Sequence, residues 1–203
     1  MKRLRLSLAM TLAIAAMPTI AAEGTAAAPQ ATPEQQAMME AWQRMSEVRA
    51  EHKQLASFAG HWTAKSTMWE AEGAPPSSSE AKATSSLLYD GRYVETVYEG
   101  DYQGQAFTGR SMMGFDNLAG KYFNTWVDSM STGFWLSYGT FDHTSNTYTF
   151  TGDMRDMMKP DTMVKVRTTI RIDGPDAYTF DWYETRDGKE RKTMSIAYAR
   201  AKS

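Results

Sequence analysis

Cysteine is absent from the 203-residue sequence, and this absence excludes several kinds of chemistry. Without thiols there is no disulfide framework, thiol nucleophile, iron–sulfur cluster or cysteine-based zinc site. A chain of this length buries enough apolar surface to fold as one domain without disulfides. Histidine is also scarce: His52, His61 and His143 are the whole set, and none stands in an H-x-H or H-E-x-x-H spacing. The sequence therefore predicts no metal site, and it indicates no cofactor.

Long apolar runs are lacking except near the N-terminus. Basic residues within positions 2–5 precede an apolar segment at 6–17, and small residues follow around Ala21. This order of positive, apolar and small residues is typical of a cleaved signal peptide, which we assign to residues 1–22. We therefore expect a periplasmic or secreted protein with no membrane insertion of its mature form. The alanine-rich stretch 23–31 is predicted to be a flexible spacer.

The sequence also has no excess of positive charge. Cleavage would remove three of the 22 Lys and Arg residues and none of the 24 acidic ones, so the net charge would fall from −2 to −5. An acidic surface is a poor match for nucleic acid or for anionic lipid, so neither is an expected partner. The composition leaves the oligomeric state open.

A helix is predicted after the spacer. Thr32 and Gln35 form a T-x-x-Q capping box, and Pro33 occupies the first turn, where a helix tolerates proline. The interpretation is a helix over about 33–51 in a helical segment spanning 32–57. Packing of its apolar stripe against the rest of the domain is favoured over a cofactor-binding face. The stripe recurs at helical spacing and comprises Met38, Trp42, Met45, Val48, Leu55 and Phe58.

Residues 58–203 are dominated by strand-forming residues in ten segments, separated by short turns such as Asp90-Gly91 and Asp187-Gly188. Ten strands joined in sequence leave two sheet edges, and closure into a barrel removes both. The prediction is a mainly β fold, a ten-stranded antiparallel up-and-down barrel with an N-terminal amphipathic helix. A β-sandwich is the alternative. The predicted strands are 61–70, 81–89, 92–99, 106–115, 121–128, 133–141, 147–153, 163–172, 177–185 and 190–200.

The first and last strands carry a predicted structural clasp. Gly60-His61-Trp62 opens the first strand, and Arg200 closes the last. With an even number of strands these positions meet at one rim, where the guanidinium would stack on the indole and bond the carbonyls of the preceding turn. This combination resembles the pattern of the lipocalin and fatty-acid-binding superfamily.

A closer resemblance extends from about His52 to Arg200 and is carried by motifs such as Gly114-Phe115-Asp116-Asn117 and W-x-D-S-M-S-T-G at 126–133. The sequence is similar to the bacterial family called domain of unknown function 1579, which belongs with the lipocalin-like barrels and has no assigned reaction. Phe115 stands where that family is expected to have tyrosine, and the methionine-rich loop after Asp153 replaces an expected Pro-Gly loop. The resemblance implies the barrel fold and no chemistry. The matching stretches are 91–93, 98–100, 107–109, 114–117, 126–133 and 139–140, of which W-x-D-S-M-S-T-G at 126–133 is the most specific.

The longest connections between predicted strands, 71–80 and 154–162, fall at the end away from the clasp, so the mouth of the barrel is predicted there. The favoured function is non-covalent binding of a small apolar or aromatic molecule, with no catalytic residue assigned. For Asp128 and Thr132, capping of a turn is an alternative to contact with ligand. The predicted ligand-binding residues are Met68, Trp126, Asp128, Met130, Thr132, Met154 and Trp182.

Two alternative functions remain open at this point. A hydrolase or isomerase would use Asp128, with Glu95 as a second strand carboxylate. A structural envelope protein would have a packed barrel and no ligand. The methionines at 154, 157, 158 and 163 are read as an apolar lip, although their thioethers suit Cu(I). The state of the barrel interior distinguishes binding from catalysis and from a structural role.

Overall fold

The computed structural model describes residues 31–71 and 73–202. The predicted signal peptide lies outside the described residues, as does the predicted spacer except for its last residue. Within the described part of the chain, no helix is both long enough and apolar enough to cross a membrane.

Ten antiparallel strands form the body of the protein, as the sequence predicts. Their order around the sheet follows the chain, and β1 pairs with β10, so the sheet closes into a barrel. The first and last strands run in register from Trp62 opposite Arg200 to Met68 opposite Met194. Closure excludes the sandwich alternative. The strands are β1 (Gly60–Met68), β2 (Ser77–Leu88), β3 (Tyr93–Tyr102), β4 (Gln105–Asp116), β5 (Lys121–Asp128), β6 (Trp135–Asp142), β7 (Thr147–Arg155), β8 (Met163–Gly174), β9 (Ala177–Arg186) and β10 (Lys189–Arg200).

The two ends of the barrel differ in how the strands are joined. At the end that holds Trp62, the connections are short turns, for example 89–92 between β2 and β3 and 175–176 between β8 and β9. At the opposite end lie the longest connections, 69–76 between β1 and β2 and 156–162 between β7 and β8. We call these the closed end and the open end.

The helical segment differs from the prediction. The capping box of Thr32 and Gln35 is present, but helix α1 (Pro33–Ser46) stops five residues before the expected end. After an extended Glu47, the chain forms a short helix α2 (Ala50–Gln54) and a 3-10 turn η1 (Leu55–Phe58). The single helix of the prediction is thus broken in two, because the backbone leaves the helical conformation at Glu47.

The apolar stripe of the helical segment is correspondingly divided, and its predicted packing is wrong for the first half. No residue of α1 is buried, and Met38, Trp42 and Met45 are all exposed. Leu55 and Phe58 are buried and cover the closed end of the barrel. The break at Glu47 points α1 away from the core, so its apolar residues do not continue the face that α2 and η1 present.

Aromatic rings fill the barrel beneath this cover. Phe58 packs edge-on against Tyr178 at 5.2 Å between ring centroids, and Tyr122 donates from its hydroxyl to Gln54 Oε1 at 2.7 Å. Burial raises the pKa of Tyr122 to about 12, so this hydroxyl stays protonated at neutral pH. Tyr148, between Phe58 and Tyr122, is also buried. The closed end is therefore sealed by packed rings.

Candidate functional site

The closed end carries the contact between Trp62 and Arg200. The guanidinium carbon lies 4.2 Å from the Trp62 ring centroid, and Nη1 donates to the Ala59 carbonyl at 3.0 Å. Further bonds run from Arg200 to the Pro175 carbonyl and to the Asp176 carboxylate, both at 2.9 Å. A single side chain thus joins the start of β1, the end of β10 and the turn between β8 and β9.

Gly60 is required for this contact. Its φ of +126° is a conformation that residues with a side chain rarely adopt, and an added Cβ would lie 2.6 Å from Arg200 Nη1. The glycine of the Gly60-His61-Trp62 motif therefore leaves room for the arginine.

The seven predicted ligand-binding residues lie at the open end, in two groups. Five alternate in register with buried residues of their strands, so their side chains face the interior, and each is partly buried: Met68, Trp126, Asp128, Met154 and Trp182. Met130 and Thr132 lie in the connection between β5 and β6 and are exposed. The structure thus places five of the residues on the inner surface of the barrel and leaves two on the rim.

Trp126 and Asp128 form a fixed pair on β5. The indole Nε1 donates to Asp128 Oδ2 at 2.8 Å, and Asp128 Oδ1 accepts from the Met130 backbone at 2.9 Å. The ring stacks beside Phe107 and lies over Gly109, where an added Cβ would be 2.4 Å from it. Asp128 therefore both caps the following turn and orients the indole.

Trp182 repeats this arrangement across the barrel. Its Nε1 donates to Glu184 Oε1 at 3.3 Å, and its ring lies 4.8 Å from that of Trp135 between centroids. Two inward-facing indoles are thus each directed to a carboxylate nearer the open end. Sequence reasoning selected Trp182 but missed Glu184 and Trp135.

Sequence reasoning also missed three polar side chains in the barrel wall: Asn124, Trp135 and Thr168. All are buried, and one polar atom of each lacks a hydrogen-bond partner among the described residues. The alternation of inward and outward residues along β5 could have indicated Asn124, because it stands between the inward positions Tyr122 and Trp126.

Two surface pockets, each of about 280 Å³, lie at opposite ends of the barrel. One is at the open rim, lined by Trp69, Ala71, Gly73, Arg191 and Lys192. The other lies outside the closed end, between the end of α1 and the β4–β5 turn, with Arg92, Asn117 and Phe123 in its wall. Neither is lined by any of the seven predicted residues.

His52 and the exposed methionines of the β7–β8 connection lie in different parts of the molecule. His52 is buried, its Nδ1 accepts from the Arg49 backbone at 3.1 Å and its Nε2 lies 3.1 Å from the Phe115 carbonyl. Burial lowers the pKa of His52, which favours the neutral ring. Met157 and Met158 are exposed in the β7–β8 connection. Among residues 31–71 and 73–202, no three His, Asp or Glu side chains are grouped to hold a metal ion.

A closed antiparallel barrel, capped at one end by a short helix and with a Trp–Arg contact at its rim, defines a lipocalin-like protein. The chain belongs to the family described as "Protein of unknown function (DUF1579)", whose model matches residues 47–200. A search of the curated proteins found no match.

Solved structures with the same fold include two distant ones. The crystal structure of Rv2717c from M. tuberculosis is similar with a TM-score of 0.56 at 11% identity, covering 77% of this chain and 100% of that one. The S-type phycobiliprotein lyase CPES from Guillardia theta is similar with a TM-score of 0.53 at 11% identity, covering 75% and 93%. At this identity the likeness shows the fold alone.

Proposed function

We propose that this protein is exported and binds a small, largely apolar or aromatic molecule inside the open end of its barrel, without chemical conversion. Export rests on the N-terminal pattern of positive, apolar and small residues. Binding rests on the contrast between the two ends of the barrel.

The observation that carries the proposal is the partial exposure of large apolar side chains on the inner wall. At the closed end, Trp62, Tyr148 and Tyr178 are buried beneath Leu55 and Phe58. At the open end, beside the buried Trp135 and Val164, six inward-facing apolar side chains are only partly buried: Met68, Phe107, Trp126, Met154, Trp182 and Met194. Apolar groups that converge on an accessible concave wall are the usual lining of a ligand site.

The charges at the open end favour neutral over anionic ligands. Asp128 and Glu184 face the interior there, and each already accepts a hydrogen bond from an indole. Glu184 is also paired with Arg186 at 2.8 Å, so a carboxylate or phosphate that entered would meet the negative charge of Asp128, which is unfavourable in a partly desolvated place. The two carboxylates hold the indoles in place and leave their ring faces for stacking.

The similarity to a phycobiliprotein lyase agrees with this proposal, because that protein has a similar fold and, by its name, acts on another molecule. The argument here rests on the inner wall of this chain.

A fluorescence titration tests the proposal with N-phenyl-1-naphthylamine, a neutral apolar dye that brightens in dry surroundings. We expect saturable binding to the purified protein. Met154→Lys places a charge on the inner wall and should weaken binding by about tenfold or more. Met163→Lys, on the neighbouring strand and exposed, is the matched control and should leave the affinity unchanged. Absence of saturable binding, or equal loss in both variants, would contradict the proposal.

A further inference from the structure

The inner wall of the barrel contains a polar patch that the protein itself does not satisfy. Asn124 on β5, Trp135 on β6 and Thr168 on β8 are 7%, 8% and 0% exposed. Asn124 Oδ1, Trp135 Nε1 and Thr168 Oγ1 have no hydrogen-bond partner among the described residues. Buried polar atoms in native proteins are almost always paired, so each unpaired atom here needs an explanation.

The three side chains lie on one continuous stretch of wall. Asn124 is opposite Ser137, which shares the inward face of β6 with Trp135. Gly152 on β7 comes next, and a Cβ added there would lie 3.3 Å from Trp135 Nε1. Thr168 pairs with Trp182, whose ring contacts that of Trp135. Gly152 therefore places no side-chain atom beside the buried indole N–H.

The neighbouring polar groups are already engaged. Ser137 Oγ donates to the Asn124 carbonyl at 3.2 Å. The indoles of Trp126 and Trp182, closer to the open end, donate to Asp128 and Glu184. Trp135 is thus the indole of the inner wall whose N–H remains unpaired, with an acceptor, Asn124 Oδ1, on the next strand.

The chemistry of the three atoms defines the complementary group. An indole N–H only donates, an amide oxygen only accepts, and the Thr168 hydroxyl does either. A carboxylate would bring a second acceptor to Asn124 Oδ1, and a hydrocarbon would leave all three atoms unpaired. A carbonyl next to an N–H satisfies both the donor and the acceptor.

We propose that this patch recognises an uncharged amide or lactam on the otherwise apolar ligand, its carbonyl accepting from Trp135 Nε1 and from the Thr168 hydroxyl and its N–H donating to Asn124 Oδ1. This inference rests on the proposed function, because the ligand must first enter the barrel. It specifies the chemical class of the ligand. It also explains why an inner surface lined with aromatic side chains retains three unpaired polar atoms.

Displacement of bound N-phenyl-1-naphthylamine by three naphthalenes of similar size tests the inference. We expect 2-naphthamide to displace the dye about ten times more effectively than 2-methylnaphthalene or 2-naphthoate, as its additional hydrogen bonds would allow. Thr168→Val and Trp135→Phe should reduce this preference severalfold. Thr169→Val, the same change on the outer face of β8, is the matched control and should retain it. Should Trp135→Phe not fold, Thr168→Val alone decides.

A second readout needs no ligand. If the Thr168 hydroxyl is kept for ligand recognition, Thr168→Val should raise the thermal midpoint of the free protein by a few degrees, and Thr169→Val should not. An unchanged or lowered midpoint for Thr168→Val would mean that ordered water pairs the hydroxyl in the free protein, and would overturn this assignment.

The outcomes separate the two proposals. If all three naphthalenes displace the dye equally, or if Thr168→Val keeps the preference for the amide, the patch holds water only and the inference is wrong, while binding in the barrel stands. If the dye itself does not bind, the proposed function fails and the inference falls with it.

Discussion

Arg200 shows how much of the closed end depends on one side chain. It stacks on Trp62 and bonds three backbone carbonyls and a carboxylate, drawn from two separate parts of the chain, 57–62 and 175–176. Gly60 leaves the space that the guanidinium fills. Because β1 and β10 meet only through closure of the barrel, this residue fastens the place where the sheet closes.

Arg200→Ala should therefore lower the free energy of unfolding by roughly 1–3 kcal/mol, through loss of a stacked cation and its hydrogen bonds. Urea denaturation followed by tryptophan fluorescence measures the change. Arg110→Ala removes a more exposed arginine paired with Glu95 and is the control, with an expected effect below about 1 kcal/mol. Equal losses in the two variants would show that the contact at the closed end contributes nothing special.

Asp156 holds the connection between β7 and β8 in place, as Arg200 holds the closed end of the barrel. It is buried although it is charged, and its carboxylate accepts from the backbones of Met158 and Lys159 at 2.8 and 3.0 Å and from the Arg186 guanidinium. The bond from Arg186 is the main reason why the pKa of Asp156 is lowered. The methionine loop is therefore tied to the end of β9.

A lowered pKa in the folded state means that the ionised carboxylate stabilises the protein. This contribution is complete above the ordinary aspartate pKa of about 4 and is lost as the pH falls through the lower folded value. The difference in thermal midpoint between wild type and Asp156→Asn should accordingly shrink as the pH falls below about 4. Asp153→Asn, exposed on the outer face of β7, is the control. A difference that does not vary with pH would contradict this role.

Helix α1 and the α2–η1 cover make unequal contributions although they are neighbours in the chain. Deletion of residues 31–40, all of which are exposed, should change the free energy of unfolding by about 0.5 kcal/mol or less. Leu55→Ala, in the cover, should cost about 2–5 kcal/mol because it leaves a cavity under fully buried packing. Chemical denaturation of both variants compares them, and a large loss on deletion would show that α1 packs on the barrel after all.

For the whole molecule, the N-terminal sequence predicts export. If residues 1–22 are a signal peptide, the protein recovered from the periplasm should begin near Ala21 to Glu23. N-terminal sequencing of that protein gives the answer directly. Retention of Met1 on the exported protein, or absence of the protein from both the periplasm and the medium, would contradict the assignment.

Several features follow from the sequence by itself. All ten strands were predictable, because alternation and β-branched and aromatic residues report local burial, and turns such as Asp90-Gly91 report backbone geometry. The capping box of Thr32 and Gln35 is equally local. Barrel closure followed from one further argument, that consecutive strands leave two edges to pair. These signals lie within a few residues of one another in the chain.

Other features depend on tertiary structure. The spacing of Met38, Trp42 and Leu55 could not show that the helix breaks at Glu47. Apolar residues keep a helical spacing along the sequence even where the chain changes direction between two helices. Asn124, Trp135 and Thr168 lie on three different strands, and their lack of partners appears only once the wall is assembled. Hydrogen-bond satisfaction is a property of neighbours in space, so the polar patch of this barrel was determined by its closure and not by any local pattern of residues.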